Sequence, residues 1–568
     1  MHIDIVPNRD SRPTFLLRES YREGTRVRKR TLANLSALSG EQIEAIRAVL
    51  RGEPLRPAGE LFEVIQSLPH GHVQAVVVAM QRLGFSQLLS ARAQPQRDLV
   101  CAMVAARIVA PHTKLATTRW WHTTTLATDF GVAAADEDDL YAAMDWLLQR
   151  QGTIQKKLAA RHLGADSLVL YDLTSSYFEG SSCPLAKIGY SRDHRRGTLQ
   201  VNYGLLADVR GCPVAVSVYE GNVADSQTFL PEVQRLRKEF GIERMVMVGD
   251  RGMISEQAIA EMRATAGMDW ITALKSVSIR SLVEQEHLQL GLFDETHLLE
   301  FRSPDYPDER LVACRNPELA KLRAHKREDL VRATEANLDK IRTRVAAGKL
   351  RGQDHIGVCV GKVINQYKVA KHFLLDITAS AFNFQRNQQS IAAEAALDGL
   401  YIIRTSLAES KMNAADCMRN YKALANVERA FRSLKTIDLK VRPIHHHTAD
   451  RVRAHIFLCM LAYYVEWHMR EAWRELMFAD TDQQAKTTRD PVAPAKRSPA
   501  ALAKVASRVL DDGTAVHSFR TLLEELATVV RNTCRTRGSN GDAPQFEIVT
   551  TANPKQARAI ELLQAITV

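Results

Sequence analysis

The sequence predicts an α/β protein in which one mixed sheet is flanked by helices, interrupted by a β-containing insertion, and bracketed by helical N-terminal and C-terminal regions. Three observations support that reading. Two short apolar runs with the pattern of buried strands, residues 168–171 and 245–248, each lead to an aspartate, Asp172 and Asp250. Two alternating strand patterns, 200–207 and 213–219, flank the turn Asp208-Val209-Arg210-Gly211, so they and the first run read as an antiparallel meander. A helical pattern from about Asp225 separates the meander from the second apolar run, and a short helix separates that run from a strand at 270–274. The resulting order is that of a mixed sheet with helices on both faces.

In chain order, residues 14–32 alternate polar and apolar side chains about Glu23-Gly24, the pattern of a twisted hairpin. One arm is strongly basic: Arg26, Arg28, Lys29 and Arg30 are placed to follow a phosphate backbone, or to guard a solvated edge strand against aggregation. Ser39 and Gln42 form a capping-box pattern for a helix ending near Gly52, and further helices are expected around 73–83, 98–110 and 138–158. Residues 276–410 read as an insertion, with hairpin strands at 298–301 and 311–315, a long charged helix at 317–345, and strands near 358–363 and 401–404. That helix carries nine lysines and arginines against five acids between Glu318 and Lys349, a pattern most often of a solvated face. Helical character returns at 413–434 and 449–477, before a linker rich in Lys, Thr, Asp and Pro. The expected division is 1–165, a basic hairpin and helical region for DNA binding or dimerisation; 166–275, first part of the catalytic core; 276–410, insertion; 411–478, helical remainder of the core; 479–500, linker; and 501–568, C-terminal region.

Composition bounds the function. With 568 residues, 45% of them hydrophobic and 25% charged, the chain is globular and long enough for three to four structural units. A net charge of +11 favours a polyanionic partner. Eight scattered cysteines, none in a C-x-x-C pair, read as reduced, buried thiols. No signal peptide or bilayer-spanning run is expected, and hence no membrane partner. The sequence has no G-x-G-x-x-G, G-x4-G-K-[ST], G-x-S-x-G or H-E-x-x-H motif, which removes the commonest nucleotide-binding, hydrolase and metalloprotease classes. The triplet His445-His446-His447 reads as a loop, because sequence neighbours point in different directions.

Carboxylates remain. Asp172 and Asp250 each end a buried strand, and strand ends are where α/β sheets form sites. On adjacent strands two such acids would repel unless a cation lay between them, and Mg2+, with its preference for oxygen, is the natural choice. A third acid comes from a helix: Tyr421, Glu428 and Lys435 recur every seven residues and share one helical face, with Arg432 four residues beyond Glu428. An aromatic, an acid and two cations on one stripe would set phosphate ligands beside a metal ligand.

These residues resemble the DDE transposases of bacterial insertion sequences, in the branch whose ribonuclease-H-like core is split by a large insertion between the second Asp and the Glu. The resemblance rests on Asp172 in LVLYDLTSSYF, Asp250 in MVMVGDRG, the stretch Tyr219-Glu220-Gly221-Asn222-Val223-Ala224-Asp225, and a Tyr-x2-Arg-x3-Glu-x6-Lys signature that here reads Tyr421-x2-Leu424-x3-Glu428-x6-Lys435. It spans about residues 165–475 and implies a ribonuclease-H-like mixed sheet. Its two departures are Leu424 in place of the signature arginine, and Met253 where hairpin-making members carry a tryptophan after the second Asp.

The resemblance implies cut-and-paste transposition in the bacterial cytoplasm, at the nucleoid: binding of terminal inverted repeats, pairing of two ends by a homodimer, cleavage, and transfer to double-stranded target DNA. It also implies two Mg2+ ions per site, with Mn2+ able to substitute; Asp172 would bridge both, and Asp250 and Glu428 would each hold one. Tyr421, Arg432 and Lys435 would position phosphates. Two other readings stay open, a catalytically silent DNA-binding descendant of a transposase and a ribonuclease-H-like nuclease or resolvase.

Overall fold

The computed structural model describes residues 1–9, 11–53, 62–294, 297–484, 488–493, 496–536 and 545–568. The chain divides into two compact units, residues 1–68 with 530–551 and residues 69–529 with 552–568.

In the smaller unit, strands β1 (His2–Val6), β2 (Thr14–Glu23) and β3 (Arg26–Asn34) form an antiparallel sheet in that order. The β2–β3 pair is the expected hairpin, and Gly24 adopts φ 62° at its turn, a left-handed conformation that glycine takes without steric cost. The helix Gly40–Leu50 begins at Ser39 with the predicted capping box. A second sheet, absent from the sequence reading, joins β4 (Phe62–Pro69) to a hairpin formed by two strands near the C-terminus, Val530–Thr536 and Gln545–Val549. Residues 537–544 lie outside the described residues, as does part of the 479–500 linker.

The larger unit is built on one mixed sheet. Its strands are β5 (Ser167–Tyr177), β6 (Lys187–Ile188), β7 (Leu199–Asp208), β8 (Pro213–Glu220), β9 (Met245–Val248) and β10 (Met268–Ala273). β8, β7 and β5 are antiparallel neighbours, and β9 and β10 continue the sheet in parallel with β5. The spatial order β8-β7-β5-β9-β10 is the mixed arrangement expected of a ribonuclease-H-like core.

Three later strands extend this sheet. β11 (Leu298–Phe301) and β12 (Arg310–Arg315) form the predicted hairpin. β13 (Phe373–Ile377) and β14 (Phe382–Arg386) pair separately, and β15 (Leu400–Thr405) lies antiparallel between β12 and β10. The long helix spans Pro317–Ala346 and packs its Val331, Leu338 and Ile341 with Val360, Phe373 and Phe382 in a small core of its own. Its charges are partly committed: Arg386 on β14 bridges Glu328 and Glu335 at 3.0 and 2.6 Å. The strand expected near 358–363 is instead part of the helix Gln353–Tyr367. Ile356 and Val360 are its buried residues, a spacing of four, and the alternation that suggested a strand includes Val358, which is 58% exposed.

Helices Gly71–Arg82, Pro95–Val109, Glu137–Gln149 and Gln151–His162 form the N-terminal helical region, the expected 138–158 helix being broken at Arg150. They surround the helix Ala449–Ala472, buried almost all round from Val452 to Met469. Helices Pro499–Ser507, Phe519–Leu526 and Pro554–Gln564 complete the C-terminal region. Among the described residues no single helix is long and apolar enough to cross a membrane.

Lys114 is buried in this helical core. Burial pulls the Lys114 ammonium down to about 7, with nearby Arg107 pushing the same way and Cys459 opposing. The unfolded chain therefore binds more protons than the folded one between about pH 7 and the ordinary lysine value of 10.5, and stability rises with pH across that window. Thermal unfolding of the native chain is expected to move to higher temperature between pH 7 and 9, and Lys114→Met to remove that dependence.

Candidate active site

The β5–β9 register levels two acids. Leu170 pairs with Val248, so Asp172 and Asp250 each stand two residues beyond the last paired position of adjacent parallel strands. Asp172 does not end its strand as the sequence suggested. β5 continues to Tyr177, and Asp172 lies in its middle, just past the end of the four-residue β9. The polar stretch Thr174-Ser175-Ser176, which reads as loop, is buried strand. Asp250 is exposed, and its Oδ1 accepts the amides of Gly252 at 2.5 Å and Met253 at 3.1 Å. Met253 is 1% exposed, a core residue at the base of the turn.

Glu428 arrives from a separate helix, Leu424–Arg432. This helix packs on β5, and its Phe431 ring meets Tyr203 of the neighbouring β7 edge-on at 6.0 Å. Tyr203 pairs with Thr174, two residues from Asp172 and on the same sheet face. At its other end Asn426 donates to the Val209 carbonyl at 3.0 Å, and a Cβ on Gly211, itself at φ 87°, would come within 2.7 Å of the Asn426 Cβ. Glycine is what lets the β7–β8 turn touch the helix.

The structure brings the three acids into one electrostatic neighbourhood. Burial pushes the Asp172 carboxyl up to about 7; Asp250 and Glu428 add to the rise, while the Leu173 amide, 2.8 Å away, and Arg192 oppose it. Tyr421 senses the same cluster: burial raises its hydroxyl to about 12, with Asp250, Asp172 and Glu428 each adding and Arg251 opposing. The donor set is all carboxylate, and Asp172 is destabilised as an anion by its surroundings. Both features suit hard divalent cations.

The signature is not one continuous helix. Tyr421 closes part of Ala414–Lys422, the chain breaks at Ala423, and Lys435 lies in a π-helical turn, Ser433–Ile437. Leu424, in the place of the signature arginine, packs against the hydrophobic core. Lys435 nevertheless reaches the Asp172 face, since its Nζ is 3.0 Å from Thr174 Oγ1. Residues two apart on a strand lie about 7 Å apart, so Lys435 stands beside Asp172 along β5. Arg432 is exposed and makes no ion pair among the described residues. The hairpin cations lie in the other unit. Arg28, Lys29 and Arg30 are ion-paired with Glu23, Asp4 and Glu19 at 2.6, 3.1 and 2.8 Å, and Arg26 is exposed. His445, His446 and His447 do turn different ways, toward Glu179, Tyr141 and Ser182.

Sequence reasoning missed the segment between β6 and β7. Asp193, 1% exposed at its side chain, pairs with Lys435 at 2.7 Å and with Arg442, and accepts the Tyr177 amide at 3.0 Å. Arg192 pairs with Asp225 at 2.5 Å, and Arg195 lies 3.8 Å over the Tyr177 ring. Arg195, Lys435, Lys440 and Arg442 line an open cavity of about 460 Å³ with Asp193 as its acid. The available signal was the charged run Arg192-Asp193-His194-Arg195-Arg196 between two strand patterns.

Residues 164–465 match the family described as transposase DDE domain, and residues 3–64 match the IS1634 family transposase N-terminal domain. The first match spans more than half of the chain. The chain belongs to the DDE transposase family. It is thus an insertion-sequence transposase, an enzyme of a family that acts on DNA and uses divalent metal ions. A solved piggyBac transposase synaptic complex with hairpin DNA is 7% identical, with a TM-score of 0.35 over 80% of this chain and 76% of that one. No curated protein matches the sequence.

Asp193 is the acid that holds Lys435 and Arg442 in this cavity. Asp193→Asn is expected to lower the unfolding free energy by about 3 kcal/mol, because removing one partner of a buried ion pair leaves the others crowded and uncompensated. Denaturant unfolding of the variant measures it.

Proposed function

We propose that this transposase binds the terminal inverted repeats of its own element, pairs two ends as a homodimer, and cuts and joins strands at one carboxylate site, Asp172, Asp250 and Glu428. The observation that carries this reading is the β5–β9 register, which sets Asp172 level with Asp250 while Glu428 adds its charge at Asp172. Asp172, Asp250 and Glu428 would together hold two Mg2+ ions, for which Mn2+ could substitute. Bound there, the ions supply activation of the attacking oxygen and stabilisation of the leaving oxygen.

The chain's own groups then have distinct tasks. The Gly252 and Met253 amides fix one oxygen of Asp250 and leave the other free for a ligand. Lys435, anchored by Asp193, presents its ammonium along the Asp172 face, where a strand phosphate would lie. Arg195, Lys440 and Arg442 extend that basic surface and supply cations where Leu424 supplies none. Tyr421 closes the acid side, and exposed Arg432 meets the DNA backbone. With Met253 buried, no aromatic side chain stands at that position to hold a flipped base, which argues against a hairpin route through it. Region 1–165 would recognise the ends, 276–410 would remain an insertion, and 411–478 would deliver Glu428. This work belongs on the bacterial nucleoid in the cytoplasm.

Incubation of purified protein with the DNA flanking its gene, in Mg2+ or EDTA, tests the site. Metal-dependent cleavage and joining at the repeat ends are expected, and Asp172→Asn, Asp250→Asn or Glu428→Gln should reduce product at least about 100-fold while end binding persists. Binding without cutting by the native chain, in Mn2+ as well, would favour the silent descendant. Cleavage with no joined product would favour a nuclease.

The hairpin is tested by salt. Exposed ion pairs are worth about 0–1 kcal/mol, so Arg28, Lys29 and Arg30 can exchange their acids for phosphates at little cost. Replacing them and Arg26 by alanine is expected to weaken end binding and reduce the slope of log affinity against log salt by about 0.9 per lost contact. An unchanged slope would remove the hairpin from the interface.

A further inference from the structure

We propose that His162, Cys212 and His468 form a binding site for a transition-metal ion, Zn2+ fitting best, that ties three distant segments of the larger unit together. Among the described residues they are the trio of His, Cys, Asp or Glu whose ligand atoms all lie within 4.8 Å of one another. The Cys212 Sγ is 3.9 Å from His162 Nε2 and 3.8 Å from His468 Nε2. Tetrahedral zinc with bonds of about 2.3 Å to sulfur and about 2.0 Å to nitrogen needs sulfur and nitrogen about 3.5 Å apart, so both sulfur–nitrogen distances are within a few tenths of an ångström of that requirement.

The three ligands come from different elements. His162 is the last residue of the helix Gln151–His162, Cys212 lies between β7 and β8, and His468 is near the end of the helix Ala449–Ala472. Cys212 and His468 are buried and His162 is partly so. The Cys212 thiol has one proton and faces two ring nitrogens. The Tyr464 hydroxyl, 3.1 Å from His162 Nε2, is the other group in reach, and its ring packs edge-on against His468 at 4.8 Å.

The two imidazoles are neutral donors, while the thiol must lose its proton to become one. Burial lowers the His468 imidazole to about 3 and also lowers His162, with Arg210 and Arg161 acting in the same direction and Asp208 opposing at His162. Both rings therefore stay neutral and offer lone pairs. Burial raises the Cys212 thiol, and Asp208 and Glu471 add to the rise while Arg210 opposes it, so the thiolate forms as the metal enters and a proton leaves. One thiolate and two imidazoles select Zn2+ over Mg2+, which separates this site from the three catalytic acids. The β7–β8 turn that carries Cys212 also holds Asn426 on the Glu428 helix, so a metal here would stiffen the seat of Glu428 without touching substrate.

The test uses untagged full-length protein, stripped with EDTA and titrated with Co2+, then Zn2+. One equivalent of Co2+ is expected to produce a thiolate-to-cobalt charge-transfer band that Zn2+ abolishes. Carboxylates cannot give that band, so it should persist in Glu428→Gln, disappear in Cys212→Ser, and need at least about tenfold more Co2+ in His468→Gln. Should Cys212→Ser fail to fold, His162→Gln, at a partly exposed helix end, is expected to show the same weakening in a chain whose circular dichroism is native. Absence of the band in the folded native chain, its persistence in Cys212→Ser, or unweakened binding in folded His162→Gln would each overturn the proposal.

Discussion

The parallel register between β5 and β9 is the constraint on which the rest of the structure depends. It aligns Asp172 with Asp250 on neighbouring strands, and with Glu428 nearby it makes ionisation of Asp172 unfavourable. Divalent cations, which this family uses, would balance such an arrangement. The surroundings prevent the protein's own cations from doing it instead. Lys435 and Arg442 are held by Asp193, and Arg192 by Asp225, so the positive groups lie beside the acids without neutralising them. Acid and base are thereby kept apart on one face, the acids free for metal and the bases close to where phosphates would run.

The sheet core was legible because its strands are apolar runs bounded by turns, and those runs survive in the structure nearly residue for residue. What was not legible follows from where burial is paid for by hydrogen bonds. The apolar run of β5 stops at Tyr171, yet the strand continues through Ser175 and Ser176, both 0% exposed. Ser176 meets the Tyr203 hydroxyl at 3.0 Å, and Ser175 accepts the Arg192 amide at 3.0 Å. Polar residues with such partners look like loop in a hydropathy pattern. The same limit hid Asp193, whose partners lie far away in sequence and give no local periodicity.

The helix reading failed differently. A spacing of seven placed Tyr421, Glu428 and Lys435 on one stripe of an ideal helix, and the observed segment breaks at Ala423 and unwinds into a π turn after Arg432. Periodicity carries no record of such breaks. The grouping still emerged, because Tyr421 and Glu428 face the acids across the break and Lys435 reaches β5 from the π turn. The edge hairpins of the smaller unit were partly missed for a related reason: Val64, Ile65, Phe546 and Ile548 are substantially exposed, so no strong inside–outside contrast marks their strands.

The large segment between Asp250 and Glu428 is more than a passenger. β10 would be an open edge, with unpaired amides and carbonyls offered to any passing strand. β15 covers it antiparallel, β12 and β11 follow, and Arg404 on β15 is locked to the buried Glu309 by two contacts of 2.6 Å. The chain therefore leaves the core after β10 and returns along the strand that seals the same edge, a few residues before the helix that ends in Tyr421 and Lys422. The inserted region can vary at its far side, around the long helix and the β13–β14 hairpin, while its return strand fixes where the Glu428 helix begins. Insertion length and active-site geometry are separated by that strand, which explains how a sheet can carry its third acid about 180 residues beyond its second.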